Sequence, residues 1–146
     1  PTGCRYFDDE KRQRAYVQEG WNLTGDVFRQ DEDGHFWYVA RADDMIISAG
    51  YNISGPEVES AVSEHPAVRE CAVVGAPDET RGQVVKAYIV LEAPARPGEA
   101  LAKDIQRFVR RNIAPYKYPR VIEFVDALPR TPTGKLQRYK LRERQS

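Results

Sequence analysis

Near its C-terminus the chain reads PRTPTGKLQR, from Pro129 to Arg138. Lys135 stands directly behind Gly134, in a segment stiffened by Pro129 and Pro132. A glycine–lysine pair signals phosphate binding when it closes a Walker A loop. That loop needs another glycine five residues before the one in the pair, and Ser or Thr after the lysine. Here Pro129 occupies the glycine's place and Leu136 follows Lys135, so this loop is of another kind. Two other segments carry groups that could do chemistry. In GWNLTGD, Asp26 follows a Thr24-Gly25 turn. A carboxylate offers two acceptor oxygens, which suits a pair of adjacent hydroxyls such as a ribose diol. In ARADDMIISAGYN, Asp43 and Asp44 lie between two strand-like runs, with Gly50 following. Taken singly, each feature has a plainer reading: a turn aspartate, a tight turn, a solvated loop lysine.

The elements that must hold these residues can be read from the pattern. GDVFRQDEDGHFWYVAR reads as a β-hairpin, with Asp33-Gly34 as its turn between Val27–Gln30 and His35–Arg41. MIIS reads as a short apolar strand after the interruption at ADD. In AGYNISGPEVESAVSEHP, Gly50 and Gly55 read as backbone turns. Ser54 and Glu57 form a capping-box pair, Pro56 is early in the helix, and His65-Pro66 ends it. Val58, Ala61 and Val62 make that helix's apolar face. VRECAVVGAPD and GQVVKAYIVLE are strand patterns joined by a turn. ALAKDIQRFVRRNI is a helix, with Leu101, Ile105, Phe108, Val109 and Ile113 in one stripe. RVIEFVD is a further strand. The order from Asp44 onward predicts an α+β domain, small, with helices packed on a short mixed sheet. Residues 1–43 lack a long helix or enough strands to stand alone, so they are expected to be a β-hairpin remnant of a larger domain.

The 146 residues are 41% hydrophobic, which is compatible with a packed core. No apolar run approaches the roughly 20 residues that span a bilayer. The opening is polar and charged and does not read as a secretory signal. The chain does not begin with methionine and is expected to be part of something longer. Cys4 and Cys71, far apart and without zinc-ligand spacing, are expected to be reduced thiols in a cytoplasmic protein. His35 and His65 read as surface residues. Net charge is zero but uneven: residues 1–64 hold 13 acidic and 6 basic side chains, and residues 65–146 hold 9 and 16. Few aromatics interleave with the basic C-terminal end, which argues against nucleic acid; a solvated face or a phosphorylated small molecule remain as readings. No metal site, nucleic-acid partner or membrane partner is expected.

In order and spacing, the three segments resemble the adenylate-forming superfamily of acyl-CoA synthetases, peptide-synthetase adenylation domains and firefly luciferase. The matching residues are Thr24-Gly25-Asp26, Ala40-Arg41-Ala42-Asp43-Asp44, the SAGYNISGPEVE segment and Pro129 to Lys135. The likeness covers nearly the whole chain. Ala40 stands where glycine is common, and Asn52 stands where many acyl-CoA synthetases carry a phosphate-touching arginine. The superfamily's Ser/Thr/Gly-rich phosphate loop and its acyl pocket are absent from these residues. The resemblance therefore implies that residues 1–43 are the tail of a large adenylating domain. Residues 44–146 would be the mobile C-terminal domain, with the missing N-terminal domain of the same chain as its partner.

The resemblance further implies an acyl-adenylate formed from ATP and a small carboxylic acid, then a thioester formed with coenzyme A, with Mg2+ accompanying the ATP. Lys135 would be the catalytic cation, Asp26 and Arg41 would hold the ATP ribose, and Asp43 would be the hinge. Ser48, Ala49 and Gly50 would line the path of coenzyme A. A lysine acetyltransferase acting on Lys135 would remove the charge both anions need. The opening segment is similar to benzoate- and 2-aminobenzoate-CoA ligases, which points to an aromatic acid. A fatty-acid substrate, a different acyl acceptor, or a non-catalytic binding module are the alternatives. The fragment alone is expected to be inactive.

Overall fold

A computed structural model describes residues 5–144; Cys4 lies outside the described residues. The chain divides into two compact units, Pro1–Asp43 and Asp44–Ser146.

The first unit opens with helix α1 (Glu10–Tyr16), capped by the Asp9 carboxylate, which accepts from the Arg12 amide at 2.9 Å. Strands β1 (Val17–Gln18) and β2 (Trp21–Asn22) pair antiparallel, as do β3 (Asp26–Gln30) and β4 (Phe36–Arg41). The β3–β4 hairpin is the one the alternation predicts. Its turn is organised as much by Asp31 as by Asp33-Gly34. Asp31 Oδ1 accepts from the amides of Asp33 and His35, and Oδ2 accepts from Trp37 Nε1 at 2.6 Å. The Trp37 N–H leads the groups that hold the Asp31 carboxyl below its usual pKa.

The second unit follows a 3-10 turn, Ala42–Asp44. Strand β5 (Met45–Ser48) turns through Ala49-Gly50 into β6 (Tyr51–Ser54). The sequence reading has no strand at YNIS; the turn explains why one forms. Ala49 and Gly50 have φ of +49° and +83°, the paired left-handed geometry of a two-residue hairpin turn. Helix α2 (Gly55–Ser63) follows at once, with Ser54 Oγ accepting from the Glu57 amide as the capping box predicts. Gly55 is not the expected turn but the first residue of that helix. A Cβ there would meet the Asp44 carbonyl oxygen at 3.0 Å and that of Val73 at 3.3 Å, so it is a close-packing glycine.

Strands β7 (Val68–Asp78) and β8 (Gly82–Leu91) form a long antiparallel pair. Helix α3 (Glu99–Asn112) and strand β9 (Val121–Phe124) follow, β9 lying parallel to β8. The sheet runs β6-β5-β8-β7, with β9 also on β8, so it is mixed. One face carries Val73, Val85, Ala87 and Ile89 against α2 and α3, through Val58, Val62, Ile105 and Val109. The other face carries Ala72, Val74, Tyr88 and Val90, covered by Leu128 and Leu141. Burial on both faces explains the nearly unbroken apolar runs of β7 and β8.

Leu141 belongs to a short helix, α4 (Arg138–Glu143), that the sequence reading leaves as a basic tail. It is fully buried, and its carbonyl accepts from the buried Tyr88 hydroxyl at 3.2 Å. His65 is also buried rather than on the surface. Its Nδ1 accepts from the Ala67 amide at 3.2 Å, so Nε2 carries the proton and faces Asp104 at 3.4 Å.

Candidate functional site

In the first unit, the β3–β4 register sets Asp26 opposite Arg41. Their side chains form an ion pair, Arg41 Nε to Asp26 Oδ1 at 3.5 Å. The Asp43 carboxylate reaches the same Nε at 3.7 Å. The Thr24 hydroxyl accepts from the Asp26 amide, and the Gly25 carbonyl accepts from the Ala42 amide at 2.7 Å. Thus three of the residues singled out from the sequence, Asp26, Arg41 and Asp43, share one end of one hairpin. The group presents a carboxylate and a guanidinium side by side, donors and acceptors that could engage a diol.

In the second unit, Lys135 sits on a small hairpin loop. Arg130 and Leu136 form a bridge across it, and the Thr131 amide donates to the Lys135 carbonyl at 2.8 Å. Gly134 has φ of +85°, a left-handed conformation that a side chain there would strain by ~1–2 kcal/mol. Leu136 packs toward Leu141 and its neighbours, while Lys135 stays exposed. Among the described residues, no carboxylate pairs with the Lys135 ammonium.

Three groups anchor this loop that the sequence reading does not single out. Arg130 reaches Glu70 on β7 at 2.7 Å. Arg138, three residues past Lys135, clasps Glu59 on α2 with two nitrogens, Nε to Oε1 at 3.0 Å and a terminal nitrogen to Oε2 at 2.6 Å. Arg138 and Arg142 both approach Asp44 at 3.4 Å. Glu59 also accepts from the Val73 amide at 2.8 Å. Glu59 and Asp44 are largely buried, so their charges require these partners. The sequence signal was weak: arginines spaced i, i+4 beside one apolar residue, with partners tens of positions away.

Ser48, Ala49 and Gly50 form the end of β5 and its turn. Ser48 is buried and pairs with Gly82, and the Ala49 amide donates to the Arg81 carbonyl at 3.0 Å. Gly82 in turn pairs with Asp78, the last residue of β7. The Lys135 loop is tied to Glu70, near the first residue of the same strand. The two candidate loops therefore occupy opposite ends of β7, separated by about 26 Å at ~3.3 Å per residue.

One cluster of possible metal ligands exists among the described residues, Asp31, Asp33 and His35, at the β3–β4 turn. The Asp31 oxygens already accept three N–H groups there, so the cluster is accounted for as a turn. With those oxygens engaged, it does not fit a magnesium site.

The family model described as "AMP-binding enzyme C-terminal domain" matches residues 57–135. The chain is 49% identical, over 96% of its length, to "Uncharacterized acyl--CoA ligase YtcI" of Bacillus subtilis. It is 50% identical, over 97% of its length, to "Acyl-coenzyme A synthetase ACSM4, mitochondrial" of Homo sapiens. It spans only about a quarter of these relatives, 26% and 25% of their lengths. Among solved structures it resembles the anthranilate CoA ligase AuaEII in complex with anthranoyl-AMP, with a TM-score of 0.81 and 44% identity. That match covers 95% of this chain and 27% of the other.

Proposed function

The chain belongs to the family of AMP-binding enzyme C-terminal domains, and from that premise we propose that it is the C-terminal part of an ATP-dependent carboxylate–CoA ligase. Residues 1–43 are the tail of the large adenylating domain and residues 44–146 the mobile domain. The exposed Trp21, Phe36, Trp37 and Tyr38 of the first unit suit an element whose neighbours lie in the absent three-quarters of the parent.

The observation that carries this reading is the pair of loops at opposite ends of one sheet. A rigid domain of that shape can offer only one end to a reaction centre at a time. Two half-reactions then use the two ends in turn. In the first, a carboxylate oxygen attacks the α-phosphorus of ATP and pyrophosphate leaves, giving an acyl-adenylate. Two anions must meet, and Lys135 supplies the cation between them. Among the described residues its ammonium pairs with no carboxylate, and it is exposed on a long stem from the loop. Preorganised charge of this kind is a large catalytic contribution. Asp26 accepts from the ribose hydroxyls, with Arg41 beside it orienting the carboxylate. In the second half-reaction the domain turns about Asp43, and the coenzyme A thiol displaces AMP as it loses its proton. The small residues at Ser48, Ala49 and Gly50 let the pantetheine arm pass close to the backbone.

The acid is an aromatic carboxylate, a reading supported by the opening segment and by the structural likeness to an anthranilate ligase. No described helix is long and apolar enough to cross a membrane. The test is thioester formation by the full-length parent with ATP, magnesium, coenzyme A and benzoate, 2-aminobenzoate or octanoate in turn. Wild type and Lys135→Ala are run side by side. The expected result is thioester from an aryl acid, with adenylate formation falling at least 100-fold in the variant. Adenylate formation at the wild-type rate in Lys135→Ala would remove the lysine from its role. Activity with octanoate alone would exclude the aromatic substrate.

A further inference from the structure

We propose that Arg130 is the positioning residue of Lys135, acting through the peptide bond that joins Gly134 to Lys135. The inference rests on the catalytic role given to Lys135 above. Both polar atoms of that peptide are held from outside the loop's own backbone. The Gly134 carbonyl accepts from one terminal nitrogen of Arg130 at 2.9 Å. The Lys135 amide donates to the Thr131 hydroxyl at 3.0 Å, and that hydroxyl lies 2.9 Å from Thr133 Oγ1. The second terminal nitrogen of Arg130 donates to Glu70 Oε2 at 2.7 Å. One planar guanidinium thus ties the root of Lys135 to β7, a strand of the central sheet.

The loop needs such a tether. Gly134 sits in a left-handed conformation with open space around it, and nothing lies within 4 Å of where its Cβ would be. Neither packing nor a side-chain preference fixes the backbone there. Leu136 anchors the next residue to the core, but rotation about the 134–135 peptide would still swing the Lys135 stem. The Gly134 amide donates to the Thr131 carbonyl at 2.9 Å and the Thr131 amide to the Lys135 carbonyl at 2.8 Å, but these bonds hold the loop only to itself; the Arg130 fork ties it to β7. Its geometry is specific: two acceptors are met by two nitrogens of one plane, which a single ammonium on a flexible stem cannot reproduce. The Glu70–Arg130 pair is also substantially exposed, 36% and 47% by side chain. Such pairs contribute little to folding stability. Position and stability are therefore separable by experiment at Arg130, unlike at the half-buried Arg138, whose partners Glu59 and Asp44 are largely buried.

The test uses the full-length parent with Arg130→Gln, Arg130→Lys and Glu70→Gln, and Lys135→Ala as reference. Single-turnover adenylate formation is measured separately from thioester formation on pre-formed acyl-adenylate, and Tm is recorded for each variant. The expected result for Arg130→Gln is a fall of roughly 10- to 100-fold in adenylation kcat, the size expected of a misplacement near 1 Å. KM for ATP, the thioester step and Tm should stay unchanged. Arg130→Lys should fall between wild type and Arg130→Gln, and Glu70→Gln should fall in the same direction by less. Adenylation at the wild-type rate in Arg130→Gln, with Lys135→Ala impaired, would overturn the proposal and leave Lys135 in its role. Equal loss of both half-reactions with a lowered Tm would overturn it too, by making Arg130 a structural residue. An unimpaired Lys135→Ala would instead bring down the catalytic reading on which it rests.

Discussion

Cys71 shows how a residue's surroundings set its chemistry here. It sits on β7, where burial pushes its thiol pKa up; the Glu59 charge adds to the rise and Arg138 opposes it. The native thiol therefore holds its proton, and the thiolate that reacts with electrophiles is scarce. Iodoacetamide at pH 8 should modify Cys71 far more slowly in the native chain than in urea, read peptide by peptide by mass spectrometry so that Cys4 is scored separately. The linkage has a definite sign. A thiol pKa raised in the folded state has no effect on stability below the unfolded value, near ~8.5, and stability falls as pH rises above it. Equal labelling rates in the two states would contradict this. At the same scale, the β3–β4 hairpin was legible in the sequence, but a regular hairpin turning at residues 31–35 sets Asp26 opposite Ala40, and it is the bulge between Val27 and Phe28 that brings Asp26 opposite Arg41. The burial of His65 was not legible, because it depends on Phe108 and Asp104 of α3, some forty positions on.

At the scale of elements, the C-terminal segment does more than its composition announces. Residues 138–143 read as basic, yet the helix they form closes the second face of the sheet with one leucine and two arginines. Leu141→Ala should cost ~2–5 kcal/mol, since the site is fully buried and bounded by sheet residues that cannot collapse inward. Ile47→Ala, at a position 59% exposed, should cost under about 0.5 kcal/mol. Urea unfolding of the two variants beside wild type decides it, and similar midpoints would mean that α4 is not docked. The elements that were legible are β3, β4, β5, β7, β8, β9, α2 and α3. Those that were not, α1, β1, β2, β6 and α4, are two to seven residues long. Strand β6 is imposed by the left-handed pair at Ala49-Gly50, and α4 by a core it does not share a sequence pattern with. Gly55 was read as a turn because glycine marks turns by default; its reason is contact with two carbonyl oxygens, which only the fold brings near.

For the whole molecule, the question is how a chain with one candidate catalytic loop at each end of a sheet uses both. The division between the compact units falls at Asp43/Asp44, inside a 3-10 turn of three residues. On one side, Asp43 faces Arg41 of the first unit. On the other, Asp44 is gripped by Arg138 and Arg142, the same helix that begins three residues after Lys135. With Asp43 as the hinge proposed above, a change of φ or ψ there would carry Asp44 and, through its ion pairs, α4 beside the Lys135 loop. Asp43→Pro tests this in the full-length parent. Proline fixes φ at its own position and disfavours helical geometry at Ala42, so it removes part of the range the swing requires. One half-reaction should be spared and the other should fall by at least tenfold, with adenylate formation and thioester formation from pre-formed adenylate measured apart. The compensating signature is that Tm stays near wild type, since the first unit's hairpin and the second unit's sheet are each complete without a flexible joint. Equal loss of both steps would move the pivot elsewhere, and Ala42 or Asp44 would be the next positions to fix.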